Sequence, residues 1–176
     1  MKNLIVIDMQ NDFIHGPLGT PEAKNVERAI AQWIRDMPYD NVYLTRDTHF
    51  DDYFSTQEGR KLPIKHCIYQ TEGWMISRRI WEELALSNIP RCIFIDKYSF
   101  GYKYWRTRNL IKDFGNDTID IVGVCTDICV ITNALLLKTI YPEGNIRVLS
   151  WLCAGTTPEM HEKALDIMRS CQINVR

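Results

Sequence analysis

Six short, near-continuous apolar runs constrain this chain more than any other feature: residues 4–7, 42–44, 92–95, 119–124, 146–149 and 173–175. A strand with one face in water alternates apolar and polar residues, whereas a strand covered on both faces reads as an unbroken run. Between the runs lie helical periods with readable starts. Thr20-Pro21 and Thr157-Pro158 each place a capping hydroxyl before a proline at the first helical position. Val26, Ile30, Trp33, Ile34 and Met37 then recur at helical spacing, as do Met160, Ala164, Ile167, Met168 and Cys171. Residues 74–86 put Ile76, Ile80, Trp81 and Leu84 on one face. The helix expected over 128–139 is apolar on most sides, which suits a central position or a subunit contact. Strand–helix alternation of this kind predicts a three-layer α/β/α domain with a mostly parallel six-stranded sheet.

The chain has 176 residues, so a single domain spanning 1–176 is expected. Net charge is −1 with both signs interspersed, which provides no basic footprint for nucleic acid. The run 119–124 is interrupted by Asp120 and falls far short of a membrane span. The opening MKNLIVIDMQ reads as a first strand and not a signal peptide, so a cytoplasmic protein is expected. Of the six cysteines, Cys92, Cys125, Cys129, Cys153 and Cys171 sit in or beside apolar segments, and no Cys-x-x-Cys occurs. Reduced thiols are the expectation.

In open α/β sheets ligands bind beyond the carboxyl ends of the strands. The reactive residues cluster there. Asp8 and Asp12 follow the first run in IDMQNDF, Asp47 and His49 the second in LTRDTHF, Lys97 the third in FIDKYSF. Cys129 lies shortly after the fourth in GVCTDICV. At the turn into an apolar helix, Cys129 meets the positive end of the helix dipole, an arrangement expected to lower its pKa and favour the thiolate. Asp8 is suited to take the thiol proton and return it to a leaving amine. Lys97 is suited to hold the thiolate and orient the carboxylate. Each residue alone also has a plainer reading: a buried structural cysteine, a turn cap, a solvated loop charge. A second constellation, Asp47-x-His49, Glu58 and His66, offers two imidazoles and two carboxylates. That donor set suits zinc, iron or manganese with water in the remaining positions, the plainer alternative being a hydrogen-bonded loop.

From DMQNDF at Asp8 to AGTTPEMHEKAL ending at Leu165, the motifs resemble the isochorismatase-like cysteine hydrolases, and within them the nicotinamidases. GVCTDICV resembles the family's nucleophile signature, and LPIKHCIYQTEGW supports it. The resemblance implies a doubly wound sheet, catalysis by Asp8, Lys97 and Cys129, and an acyl-enzyme on Cys129 that water hydrolyses after ammonia leaves. It also implies a cis peptide at Val124–Cys125 and an oxyanion hole formed by the N–H groups of Cys125 and Cys129. It further implies a divalent metal, zinc by preference, on Asp47, His49, Glu58 and His66, holding the pyridine nitrogen of nicotinamide. Phe13 and Tyr104 match pocket aromatics, and relatives are often homo-oligomers. Two departures stand out: Gln70-Thr71 replaces a Gly-Thr, and Trp151 stands where many relatives carry Asp. The leading expectation is a nicotinamidase with pyrazinamidase side activity. Alternatives are an amidase or carbamoyl/ureide hydrolase acting on another small amide, and a non-catalytic binding protein on the same fold.

Overall fold

The computed structural model describes residues 1–106 and 117–176. In chain order the strands are β1 (Lys2–Ile7), β2 (Asn41–Asp47), β3 (Arg91–Lys97), β4 (Thr118–Val124), β5 (Asn145–Ala154) and β6 (Asn174–Val175). The helices are α1 (Asn11–Ile14), α2 (Pro21–Asp36), α3 (Gln57–Lys61), α4 (Arg78–Leu86), α5 (Ile131–Ile140) and α6 (Pro158–Ser170). All six apolar runs became strands. They pair in the order β3-β2-β1-β4-β5-β6, and every pairing is parallel.

Side chains of a strand point alternately to the two faces, and here both faces are buried. Leu4 and Val6 of β1 pack with Val26, Ile30 and Ile34 of α2 and Ile80 of α4. Ile5 and Ile7 pack with Ala134 and Leu137 of α5 and Leu165 and Met168 of α6. These are the two helical layers. Both threonine caps form, with Thr20 Oγ1 accepting from Ala23 N at 3.0 Å and Thr157 Oγ1 from Met160 N at 3.1 Å. Among the described residues no helix is long and apolar enough to cross a membrane.

Two expectations about the helices need correction. The helix expected over 74–86 starts only at Arg78. Before it, Trp74 N closes a turn on Thr71 O at 3.2 Å, and Gln10 bridges Ile76 and donates from Nε2 to Trp74 O at 2.9 Å. The expected helix over 128–139 is two pieces, a π turn over Thr126–Val130 and then α5. All six cysteines are free, but Cys92 and Cys171 are exposed despite their apolar neighbours, because one lies on the edge strand β3 and the other just past α6.

The lower half of the sheet is tied by a buried carboxylate. Asp120 on β4 accepts from Arg147 Nε and Nη2 at 2.6 and 2.7 Å and from Tyr39 OH at 2.8 Å. Tyr39 OH in turn accepts from Trp33 Nε1 of α2 at 2.7 Å. Asp120→Ala strips three donors of their acceptor and is expected to cost about 3 kcal/mol. The urea-unfolding midpoint measures this, and a loss below about 1 kcal/mol would show that the network adds little beyond ordinary hydrogen bonds.

Candidate active site

The order of strands reverses about β1 and β4, and a crevice opens there beyond their carboxyl ends. At the end of β1 the chain turns through Asp8, whose φ of 49° is left-handed, a conformation a short polar side chain tolerates better than most. Two contacts to Thr45 on β2 hold the turn: Asp8 N donates to Thr45 Oγ1 at 3.1 Å, and Thr45 Oγ1 donates to Asp8 Oδ1 at 2.6 Å. Gln10 adds a second clamp, accepting from Asp47 N at 2.7 Å and donating to Asp47 O at 2.8 Å. On β4, Gly123 lies against β1 with φ of 119°; a Cβ there would meet Ile7 O at 2.1 Å, so only glycine allows this approach.

Asp8, Lys97 and Cys129, far apart in sequence, meet in this crevice. Lys97 Nζ lies 2.7 Å from Asp8 Oδ2, 3.1 Å from Asp47 Oδ1 and 3.6 Å from Cys129 Sγ. All four side chains are buried. The Lys97–Asp8 contact is an ion pair set off the hydrogen-bonding direction, so the fully buried Asp8 Oδ2 accepts no well-aligned hydrogen bond. It is left with a lone pair available for a proton.

Burial and charge set the protonation states. Burial alone lowers the Lys97 pKa, but Asp8 first, then Cys129 and Asp47, raise it well above its ordinary value, so Lys97 is an ammonium. Burial raises the Asp8 carboxyl, Lys97 draws it back, and Asp47 pushes it up again, for a net rise. Asp47 ends well below the usual carboxylate range: burial opposes this, but Lys97 and the two histidines outweigh it. The expectation of a resting thiolate is corrected. Burial pushes the Cys129 thiol well up, and Asp8 and Asp47 add to the rise, against the lowering by Lys97. Desolvation inside the crevice is the largest cause.

The Val124–Cys125 peptide is cis. Cys125 O accepts from Ile128 N at 3.1 Å and Val130 N at 3.0 Å, closing the turn that carries Cys129. Cys125 and Cys129 both border the space beyond this turn. Asp127 holds the turn from outside, accepting from Thr156 N at 2.8 Å and from Thr156 Oγ1 at 2.6 Å.

Beside the trio stand Asp47, His49, Glu58 and His66, with one ligand atom from each lying within 4.8 Å of all the others. His66 Nδ1 is 2.8 Å from Ile64 O, which requires the proton on Nδ1 and leaves the lone pair of Nε2 for the cluster. That nitrogen lies 3.7 Å from Asp47 Oδ2 and 3.9 Å from Glu58 Oε1. His49 Nε2 lies 2.9 Å from Asp47 Oδ2 and 3.6 Å from Glu58 Oε1. Two imidazoles and two carboxylates converging in this way fit a divalent metal ion.

A cavity of about 350 Å³ joins the two groups, lined among others by Phe13, Asp47, Glu58, His66, Cys125 and Cys129. Phe13 stands where a pocket aromatic was expected, but Tyr104 lies outside, half-exposed in a neighbouring hollow beside Lys103. Phe100 lines the cavity instead. Asp12, grouped with the reactive residues by sequence, serves the loop: its Oδ2 accepts from Cys67 N at 2.7 Å, beside His66. Sequence reasoning missed Gln10, Thr45 and Asn133, all fully buried. The only available signal was a polar residue interrupting an apolar stretch.

A doubly wound sheet carrying an acid, a lysine and a cysteine around one cavity defines a class, and the chain belongs to it: an isochorismatase-domain model matches residues 2–176, so this is a member of the isochorismatase domain family. The chain is 29% identical to the nicotinamidase/pyrazinamidase of Mycobacterium tuberculosis, over 99% of this chain and 98% of that protein. The pyrazinamidase/nicotinamidase of Streptococcus mutans superposes with a TM-score of 0.81 at 25% identity, covering all of both chains. The pyrazinamidase of Pyrococcus horikoshii, solved in complex with zinc, shares the fold with a TM-score of 0.76 at 24% identity, over 99% of this chain and 98% of that one.

The protonation states predict how Cys129 reacts. A thiol raised by burial reaches half-maximal alkylation by iodoacetamide at a pH above the ordinary thiol value. Lys97→Met moves that midpoint further up, because Lys97 is the group that lowers it. A wild-type midpoint below about 8.5 would contradict this account.

Proposed function

We propose that this protein is a nicotinamidase, hydrolysing nicotinamide to nicotinate and ammonia, with pyrazinamide as a side substrate. One observation carries the reading: the sulfur–ammonium–carboxylate chain of Cys129, Lys97 and Asp8 opens on the same cavity as a four-donor metal cluster. The names of the relatives that match along their whole length agree with it.

Asp8 is the base that accepts the thiol proton as Cys129 attacks the amide carbon. Its raised pKa suits it to both taking that proton and returning it. Lys97 keeps its charge throughout, offsetting the thiolate as it forms and holding Asp8 and the sulfur on either side of one ammonium. The N–H groups of Cys125 and Cys129 are the donors for the developing oxyanion, each worth about 3 kcal/mol in such holes. Asp8 then gives its proton to the departing amine, and ammonia leaves a thioester on Cys129. The same carboxylate deprotonates the water that hydrolyses the thioester. Asp47, His49, Glu58 and His66 would hold a divalent metal, zinc by preference, which when bound would supply a Lewis acid for the ring nitrogen. Phe13 contributes apolar wall to the ring. Six free cysteines fit a reducing compartment such as the cytoplasm.

Ammonia release from nicotinamide tests the proposal. Cys129→Ala is expected to lower release at least about a thousand-fold with the fold intact. His49→Ala is expected to raise KM more than it lowers kcat, and chelation followed by zinc restoration to remove and return activity. A Cys129→Ala enzyme that still turns over would overturn the nucleophile assignment. No release from nicotinamide by wild type, with Cys129 still alkylated, would redirect the search to another small amide.

A further inference from the structure

The segment after β3 returns across the cavity and contributes Phe100 to its wall. Its ring has no aromatic partner among the described residues, and the side chain is half-exposed. Something other than ring packing must therefore fix it. The segment lies directly on α5: a Cβ on Gly101 would meet Leu136 Cδ1 at 2.4 Å and Thr132 Cγ2 at 2.7 Å.

One buried amide clamps it there. Asn133 of α5 has no exposed surface and sits beside an apolar layer. Its Oδ1 accepts from Tyr102 N at 2.9 Å and from Trp105 Nε1 at 3.0 Å. Its Nδ2 donates to Phe100 O at 3.1 Å and to Cys129 O at 2.8 Å. An amide has two donors and two acceptor sites, and all four are used. The orientation is fixed by the partners, because the flipped amide would set donors against two N–H groups and an acceptor against two carbonyls. A single side chain thus joins the backbone of the nucleophile to the backbone of the cavity wall.

We propose that Asn133 is a positioning residue that sets Phe100 relative to Cys129, and so makes the pocket select planar aromatic amides over small aliphatic ones. The inference deepens the proposed function and rests on Cys129 as the nucleophile; its test reads alkylation, so the two fail separately.

The probes are iodoacetamide and its N-phenyl derivative, with rates at Cys129 resolved by peptide mapping because Cys92 and Cys171 are exposed. Wild type is expected to favour the phenyl reagent. Phe100→Leu and Asn133→Leu are each expected to lower the phenyl-to-parent rate ratio about five-fold, the scale of one ring–ring contact. The double variant is expected to lose no more than either single, since both act through one ring. Asn133→Ser keeps a hydroxyl able to bond Cys129 O one turn back but cannot reach the loop; it is expected to give the same loss and serves if Asn133→Leu does not fold. An unchanged ratio in Phe100→Leu, additive losses in the double variant, or an equal fall for both reagents in the Asn133 variants would overturn the proposal. The expected ratios in an enzyme that leaves nicotinamide untouched would uphold Asn133 and remove only the substrate reading.

Discussion

A lysine ammonium with almost no solvent contact is the constraint around which the rest of the crevice is arranged. Burying a charge costs several kcal/mol unless partners surround it. Lys97 has Asp8 at 2.7 Å and Asp47 at 3.1 Å, and these come from the ends of β1 and β2 while Lys97 ends β3. Three adjacent parallel strands must therefore finish at matching heights, and the register Asp47↔Lys97 places them so. The sulfur of Cys129 completes the ring of neighbours from the fourth strand's turn. Burial pushes the Cys129 thiol well above its ordinary value, and Lys97 beside it is the group that pulls it back.

Asp47 links this ion pair to the metal cluster. Its Oδ1 faces Lys97, while its Oδ2 faces His49 and His66. Gln10 grips the Asp47 backbone on both sides, so the carboxylate is held as firmly as the strand itself. One residue thereby ties the four-donor cluster to Lys97, the neighbour of Cys129. Positioning of that kind is worth more to catalysis than added affinity. On the opposite wall, Asn133 ties the Cys129 carbonyl to the loop that carries Phe100.

Much of this was legible in the chain. Near-continuous runs such as 4–7 point to strands covered on both faces, and each of the six became a strand. Thr20-Pro21 and Thr157-Pro158 marked helix starts because their chemistry is local. Strand ends flagged Asp8, Asp47 and Lys97, since parallel order brings such ends together wherever the helices run. What the chain hid was non-local. Residues 74–77 have a helical pattern but are held in a turn and bridge by Gln10, sixty-odd residues earlier. The Cys129 thiol looked activated from its helix position, yet its burial depends on four strands at once. The family resemblance implies Tyr104 as a wall residue; the path of the loop over Gly101 and Asn133 puts Phe100 there instead.

The central claim is that Cys129 carries the acyl group of nicotinamide. Rapid acid quenching of the enzyme during turnover, followed by peptide mass spectrometry, tests it most directly. The account predicts a nicotinoyl thioester on the peptide containing Cys129, formed as ammonia is released and lost when Asp8 is changed to Asn. Ammonia released with no adduct, or an adduct on Cys125 or Cys67 in place of Cys129, would contradict it.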